Sequence, residues 1–564
     1  MSAHEHETPE DDHAHVRWLI VGPLTSKPQR TPQHISRDNF AGVLAAAAPM
    51  VQVDLADDIG ASSPCVVRAR FERIRSFSFK DCISSSPTLT TLRDLGEAFA
   101  GPISKRPEWP AALAVIADAV GEGPLYREVQ ACIGPDAAPS TEHKRDQQGA
   151  NNGPAPDPPA IGCGGEVRQP DPSRRAVDAF VSTMRRGSTR STASNARSAE
   201  HRKVRDIIES RVFRAVSRLL EDAEVRRVEA LWRGIKLLVD HCEPGRISVQ
   251  VVDVATVDVP AYLETRESHR EDPMDGPDAV FLLGHADDTA LLTKLAEAAA
   301  GLNAPVIVPV GPAFFRCDSA HAVATAIDDD HVDAHLPTEW SRVRATTSSR
   351  WLTTVYNRVV THSEGSGDAR RVVFSAPTLA FAAMLSSSFC HTGGFARILG
   401  HTGGLALPST WEPPDTRAQH LSVPTEAFLP VRAQTKLGAA GIVGLGSARN
   451  SNTVLAANMP TVSDATDALP LAAQILTGRL VRFTQFVIDQ IPAGCSASDL
   501  TTLFADAAKV FLFPGLPENA AHLEAQAVEE GRAVRLIATV RPEFAGIPFE
   551  VGFDMPLPVP VESP

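Results

Sequence analysis

The pattern of apolar and polar residues predicts a compact α/β module at the start of the chain. Val16–Leu24 is a short apolar run closed by Gly and Pro, as expected for a buried strand. Val66–Ile74 alternates apolar and polar side chains, which indicates a strand with one face in water. Helices are predicted at 37–48, Thr88–Ala100 and Trp109–Val120. We therefore expect one folded module over residues 16–134.

Residues 135–173 are expected to separate this module from the rest of the chain. They are rich in Pro, Gly, Asn and Gln, so apolar burial cannot offset the entropy of ordering them, and a disordered linker is predicted. After them, four apolar residues at helical spacing predict a short amphipathic helix: Val177, Phe180, Val181 and Met184. A second polar stretch, 187–198, follows this helix.

The remaining residues alternate between helical and strand patterns. Long helices are predicted over 199–221 and Val225–Val239, where the apolar residues fall on one side. A βαβ crossover and a partly parallel sheet are indicated by strands over Arg246–Val254, Ala279–Gly284 and Pro305–Val310 and a helix over Thr289–Leu302. Farther on, the predicted elements are helices over Trp340–Val360, Leu379–Cys390 and Leu471–Gln490 and a strand pair over Ala533–Val540 and Pro548–Phe553.

The composition narrows the class of protein. A length of 564 residues predicts about three or four domains, and 43% hydrophobic with 22% charged residues is ordinary globular usage. The 54 Lys and Arg against 68 Asp and Glu leave a net charge of −14, which argues against binding to nucleic acid or to an anionic membrane surface. The chain begins without a targeting pattern, and no apolar run approaches about 20 residues, so we expect a cytoplasmic protein without direct membrane insertion.

No spacing in the sequence defines a catalytic or metal site. The eight cysteines lie far apart, and the phosphate-loop, dinucleotide, zinc-protease and serine-hydrolase motifs are missing. Four patterns could bind a ligand or serve only a structural role. They are the His-rich tail 1–15, the Gly-rich stretch 438–446, the pair His391 and His401, and the run Asp328–His331. The structural reading is favoured for each, so we expect no catalytic residue, cofactor or bound metal, and no enzymatic activity.

The helix over Val225–Val239 carries a family resemblance. Its sequence EALWRGIKLLVD resembles the signature of the large subunit of the contractile sheath of bacterial type VI secretion systems, with Trp232, Arg233 and Gly234 at its centre. The segment that holds Trp340 and Arg350 resembles a second block of that family, and further blocks follow in family order. The resemblance covers about 176–560, so 174–240 is interpreted as the N-terminal helical region and 241–564 as the main domain of a large-subunit-like part.

The first module resembles the small subunit of the same sheath. The stretch RDNFAGVL and the later segment ending in TLRDL match that family's pattern. Small and large subunits are usually separate chains, so this chain is interpreted as their fusion through 135–173, preceded by a disordered tail, 1–15. The expected fold is mixed α/β: a small N-terminal α/β module joined to a larger sheath-type α/β domain that ends in β-strands.

The resemblance implies a structural protomer that polymerises around an inner tube and contracts to propel it. Implied partners are further copies of the chain, the inner tube protein, baseplate components and a AAA+ disassembly ATPase. The helix over Val177–Met184 lies near the place where the family's large subunit presents a helix to that ATPase. Strand pairing between neighbours would use the C-terminal strands. Candidate residues there are Val534, Leu536, Ile537, Val540, Phe549, Val551 and Phe553.

Other interpretations remain open at this point. The family's small subunit begins with an extra strand that the polar tail 1–15 does not supply, which favours a sheath-derived baseplate, cap or regulatory component that does not contract. An α/β enzyme built on Arg246–Val310 is the rival from another class. The C-terminal strands could form an ordinary hairpin, and the Val177–Met184 helix could pack on its own domain. Trp232 is expected in the core, with Arg233 paired to an acid of the same or a neighbouring subunit.

Overall fold

A computed structural model shows the arrangement of the chain. It describes residues 16–25, 28, 30–102, 106–133, 199–365, 370–400, 403–413, 421–490, 497–507, 521–528, 533–540 and 549–556. The predicted linker 135–173, the tail 1–15 and the helix over Val177–Met184 lie outside the described residues.

Helices and strands alternate along most of this range. The strands are β1 Val16–Gly22, β2 Gln33–His34, β3 Met50–Asp54, β4 Val66–Arg70, β5 Ile247–Asp253, β6 Ala279–Leu282, β7 Val306–Val310, β8 Leu352–Tyr356, β9 Val359–Glu364, β10 Arg371–Ser375, β11 Leu405–Ala406, β12 Ile442–Ser447, β13 Thr453–Ala456, β14 Ala521–Val528, β15 Ala533–Val540 and β16 Phe549–Pro556. The helices are α1 Phe40–Ala47, α2 Ala56–Ile59, α3 Phe79–Ser84, α4 Pro87–Ala100, α5 Trp109–Val120, α6 Pro124–Cys132, α7 199–221, α8 Ala223–Val239, α9 Val259–Ser268, α10 Thr289–Leu302, α11 Ala320–Asp328, α12 Val332–His335, α13 Trp340–Arg344, α14 Pro377–Thr392, α15 Val431–Ala439, α16 Leu471–Asp489 and α17 Ala497–Ala507.

The chain divides into two compact units. The larger unit contains residues 1–49, 71–74 and 223–564, and the smaller unit contains 50–70 and 75–222. These units do not coincide with the predicted boundaries. β1 and α1, predicted within the module 16–134, belong to the larger unit, while α7, predicted within 174–240, belongs to the smaller one. Local periodicity places an element along the chain, but long-range packing decides which unit it joins.

A largely parallel sheet forms the centre of the larger unit. Its strand order is β11-β13-β12-β8-β7-β6-β1-β5-β2, with parallel pairing from β12 through to β5. β1 lies between β5 and β6, with Val16 opposite Ile247 and Trp18 opposite Ala279. The mixed α/β fold class is therefore confirmed, with the first predicted strand inside the sheet, third from its β2 edge.

Helices cover both faces of this sheet. The side chains of β1 alternate between the two faces, and each face meets an apolar layer. Leu19 and Val21 share a core cluster with Leu295 of α10. Trp18 points to the other face, where its indole N–H donates to Ser386 of α14 at 2.9 Å. A strand buried on both faces reads as a continuous apolar run, which is the pattern that predicted β1.

The smaller unit combines a hairpin with a group of helices. β3 and β4 pair antiparallel, and alternate residues such as Val53 and Val67 are buried while their neighbours are exposed, as the alternation predicts. On α7, His201 stacks on Trp109 of α5 with ring centroids 4.4 Å apart. Arg211 of α7 forms an ion pair with Glu128 of α6.

One predicted helix is wrong. The segment Trp340–Val360 contains the short helix α13, a 3₁₀ turn over Thr347–Trp351, and the strands β8 and the start of β9. β8 is fully buried between β7 and β12. Its residues Leu352–Tyr356 are mostly β-branched or aromatic, and two-sided burial in the sheet outweighs the helical spacing of their apolar side chains.

The C-terminal segment also differs from the predicted strand pair. β14 adds a third antiparallel strand, so β15 lies between β14 and β16. β15 therefore has partners on both sides and is not an edge strand. Among the described strands, β14 and β16 (Phe549–Pro556) are the two outer strands of this sheet.

Candidate functional site

The family-like motif on α8 forms a tight contact with α14. Trp232 has no exposed surface and meets Phe40 of α1 edge to face, with centroids 6.0 Å apart. A Cβ added at Gly234 would lie 2.5 Å from Leu379 Cδ1 and 3.1 Å from Ser375 Cβ. Only a residue without a side chain lets the start of α14 approach α8 this closely, so Gly234 sets the spacing of α8 and α14, while Trp232 packs α8 against α1.

A buried charge cluster extends from the same helix. Glu229 has no exposed surface, and its Oε1 accepts a hydrogen bond from Arg233 Nε at 2.7 Å. Arg371 of β10, 142 residues farther along the chain, donates to both oxygens of Glu229. Two guanidinium groups thus neutralise one buried carboxylate, which agrees with the expectation that Arg233 pairs with an acid and places that acid in the same chain.

The cluster continues to the solvent through β9. Arg371 Nε donates to Glu364 Oε1 at 2.7 Å, and His362 Nε2 lies 3.6 Å from Glu364 Oε2. Hydrogen bonding from His362, with further support from Arg371, lowers the pKa of Glu364 to about 2. The cluster therefore ties α8 to the β9–β10 hairpin by charge-assisted hydrogen bonds.

Sequence reasoning found the Arg233 end of this cluster and missed the rest. A signal was available, because Glu229 stands on the apolar side of α8 one helical turn before Arg233. A carboxylate on an apolar face requires a cationic partner. The residues around Arg371 do not indicate that it pairs with Glu229, since its strand is 142 residues from Glu229 in the sequence.

The second family-like block contains Trp340 and Arg350, which have different surroundings. Trp340 is buried, and its indole N–H donates to the carbonyl of Ala440 at 2.9 Å. Its ring meets Phe314 edge to face at 5.0 Å. Arg350 is half-exposed and lies 3.7 Å from Asp467. These contacts of Trp340 and Arg350 involve different partners.

A second buried ion pair anchors α16 to the amino edge of the sheet. Asp278, just before β6, accepts hydrogen bonds from Arg482 of α16 and from the backbone N–H of Arg17. Arg482 also donates to the carbonyl of Asn303 at 2.7 Å. Complete burial lowers the pKa of Arg482 to about 10, while Asp278 acts in the opposite direction. Asp278 thus fixes the start of β1 and β6 against α16.

The C-terminal sheet offers backbone hydrogen-bonding groups along its outer strands. Within the described residues, β16 pairs with β15 on one side and has no strand on the other. Arg535 of β15 and Asp554 of β16 stand directly opposite each other, with Nε 2.7 Å from Oδ1. This cross-strand ion pair favours the observed register and lowers the pKa of Asp554.

Most candidate inter-subunit residues are placed by their backbone alone. Ile537 is half-buried. The side chains of Val534, Leu536, Val540, Phe549, Val551 and Phe553 lie outside the described set. Their register is described, with Phe549 opposite Val540 and Phe553 opposite Leu536.

Of the four patterns that could bind a ligand, the structure describes 438–446, Asp328–His331 and His391. Residues 438–446 hold the end of α15, a turn at Gly441 with φ of 79°, and most of β12, so they form no phosphate-binding loop. Asp330 forms ion pairs with Lys436 and Arg432, as a solvated run would. His391 lies in the last turn of α14, where its Nδ1 is 2.6 Å from the carbonyl of Ser387. His401 and the tail 1–15 lie outside the described residues.

The described residues show neither a metal-ligand cluster nor a membrane-spanning helix. No three His, Cys, Asp or Glu side chains in the described part of the chain come together as metal ligands would. Among the described helices, none is both long and apolar enough to cross a lipid bilayer. Burial raises the pKa of Cys242 to about 12 and also raises that of Cys317, which makes both thiols poorer nucleophiles than a free cysteine.

Comparison with known proteins identifies similar chains by structure and none by sequence. No protein-family model matches the chain, and no curated protein matches it. The sheath of the extracellular contractile injection system PVC, in its contracted state, is 11% identical, with 59% of this chain and 78% of that chain covered and a TM-score of 0.34. The contracted helical sheath of the anti-feeding prophage is 11% identical, covering 52% of this chain and 70% of that one, with a TM-score of 0.31.

A crystallised sheath tail protein from Listeria innocua is also similar. It is 10% identical, with 54% of this chain and 61% of that chain covered and a TM-score of 0.30. All three similarities are partial.

Proposed function

We propose that the chain is a structural protomer of a contractile sheath of the type VI secretion kind, in which parts resembling the small and large subunits are fused. The observation that carries this proposal is the C-terminal sheet, which ends on β16 with no further strand among the described residues. An uncovered strand is a template for a strand from another chain. This arrangement supports polymerisation by strand addition.

The buried ion pairs support a role in which rigid bodies move against one another. Glu229 and Asp278 each tie separate elements of the larger unit through hydrogen-bonded guanidinium groups. Main-chain pairing through the C-terminal strands would keep neighbouring protomers connected while those bodies rotate. Contraction then requires interfaces with two discrete packings, since packed cores do not deform smoothly. The proposed partners are further copies, an inner tube, a baseplate and a AAA+ disassembly ATPase.

The test is polymerisation of the purified full chain, measured by sedimentation and negative-stain electron microscopy. We expect hollow helical tubes in the pellet. Inert particles of one protomer would overturn the proposal, and closed rings without tubes would favour a sheath-derived component that does not contract.

Two proline variants test whether β16 is the contact. Glu550→Pro and Val551→Pro remove N–H groups on successive residues, which point to opposite sides of a strand. One variant should lose the pairing between β16 and β15, and the other should keep the circular dichroism spectrum of the parent and fail to pellet. Normal pelleting of both variants would show that assembly uses another surface.

A further inference from the structure

A cleft of about 490 Å³ opens at the carboxyl edge of the central sheet. Pro23, which follows β1, and Leu283 to His285, which follow β6, form one side of it. Counting only the strands paired in parallel, the order β5-β1-β6-β7-β8-β12 places the first strand second. The chain leaves β1 toward β5 and leaves β6 toward β7, so the two connections diverge. Such a divergence leaves a crevice, and doubly wound proteins bind ligands there.

Two helices and a hairpin supply the other walls. Arg226 and Arg227 lie on the first turns of α8, and Leu379 lies at the start of α14. Phe374 of β10 contributes an aromatic ring, and the guanidinium carbon of Arg358 lies 5.5 Å from the centre of that ring. The cleft therefore combines an apolar lining with guanidinium groups.

The charges in the cleft leave one cation without a counter-ion. Arg227 is held by Glu224 at 2.7 Å, and Arg358 is held by Glu426. Arg226 is exposed, and no acidic side chain in the described ranges pairs with it. The start of α14, a 16-residue helix whose N-cap residue has no side-chain hydrogen bond, adds a favourable potential for an anion.

His285 contributes polarity without charge at neutral pH. The His285 side chain is exposed to the cleft on one side and surrounded by protein atoms on the others. The protein atoms remove part of its hydration, and this desolvation lowers the pKa of the imidazole. The charged groups that face it are Asp287, Glu426 and Arg358, and it also hydrogen-bonds to the carbonyl of Pro309. With the imidazole uncharged and Arg227 and Arg358 paired, Arg226 is the described arginine of the cleft that remains available to an anion.

We propose that this cleft binds a small organic anion, a phosphate monoester or carboxylate with a planar apolar body. The anionic group lies against Arg226 and the start of α14, and the body packs against Leu283 and Phe374. The volume is within the range of pockets for small ligands. The site lies within the larger unit, so binding does not depend on the proposed sheath function.

The test is calorimetric titration of the full chain with phenyl phosphate, inorganic phosphate and phenol at pH 7.5. Phenyl phosphate should bind at one site per chain, at least about tenfold more tightly than either fragment, because it makes both contacts at once. Failure of phenyl phosphate to bind at up to about 10 mM would overturn the proposal. Equal affinity for phosphate and phenyl phosphate would also overturn it, since the body would then make no contact.

Three variants locate the site. Arg226→Ala should weaken binding of phenyl phosphate at least about tenfold, and Ala230→Phe should abolish it by filling the cleft. Arg342→Ala, at a similarly exposed arginine outside the cleft, is the matched control and should bind like the parent. Circular dichroism checks folding of each variant. Unchanged binding by both folded cleft variants would place the ligand elsewhere and refute the assignment.

Discussion

Glu229 of α8 and Arg371 of β10 form a buried ion pair although they lie 142 residues apart in the chain. Arg233 holds the same carboxylate from the next turn of α8. Because Glu229 has no exposed surface, its charge depends entirely on these two partners. The pair therefore connects the family-like motif to the β9–β10 hairpin. Removing either side chain of the pair should lower the stability of the fold considerably.

Glu229→Ala should destabilise the protein by about 3–5 kcal/mol, because it removes the buried carboxylate that holds two largely buried guanidinium groups: Arg233 loses this counter-ion, and Arg371 keeps only its pairing with the more exposed Glu364 among the ion pairs described above. The measurement is the free energy of unfolding in urea. Glu224→Ala is the control on the same helix, where a half-exposed carboxylate pairs with Arg227. The Glu224→Ala variant should lose less than about 1 kcal/mol of unfolding free energy. Equal losses from the two variants would contradict the role assigned to Glu229.

Gly234→Ala should cost about 1–3 kcal/mol, because the new Cβ would meet Leu379 Cδ1 at 2.5 Å and force α8 and α14 apart. Gly42→Ala on α1 is the matched control, since no atom lies within 4 Å of the added Cβ. That variant should be more stable than the parent by about 0.5–1 kcal/mol. Thermal unfolding of both variants gives the comparison, and the same sign for both would be inconsistent with a packing role for Gly234.

Glu364 should contribute to stability at neutral pH and lose that contribution in acid. Its pKa is about 2 in the folded chain and near 4.5 ordinarily, so between these values the unfolded state binds more protons. The stabilisation is complete above pH 4.5 and disappears as the pH falls toward 2. Glu364→Gln should therefore flatten the fall in stability over this window. An unchanged slope in acid urea titrations would show that His362 and Arg371 do not hold the carboxylate.

The Val177–Met184 helix lies outside the described residues and remains a predicted docking site for a disassembly ATPase. Replacing Phe180 and Val181 by Asp should abolish recycling of contracted polymers, since a charged face cannot enter an apolar groove. Assembly of the chain, measured by pelleting, should be unaffected. If the variant fails to fold, as judged by circular dichroism, the helix belongs to a core and the docking interpretation is wrong.

Local periodicity alone predicted most of the longer helices of this protein. The prediction for Trp109–Val120 matches α5, and the one for Thr289–Leu302 matches α10. Both segments carry apolar residues at helical spacing between clear start and stop signals. The apolar run at Val16 likewise predicted β1. The information needed for these elements lies within about 15 neighbouring residues, so the sequence is sufficient.

Only the tertiary structure decided where those elements pack. It placed β1 between β5 and β6, more than two hundred residues downstream, and joined it to the larger unit. It made a strand of Leu352–Tyr356, because burial between β7 and β12 outweighs local helical spacing. It also brought Arg371 to Glu229 and Arg226 to the end of β6. Parallel strands, buried ion pairs and clefts arise from residues far apart in sequence, and no local pattern specifies which distant partner each will meet.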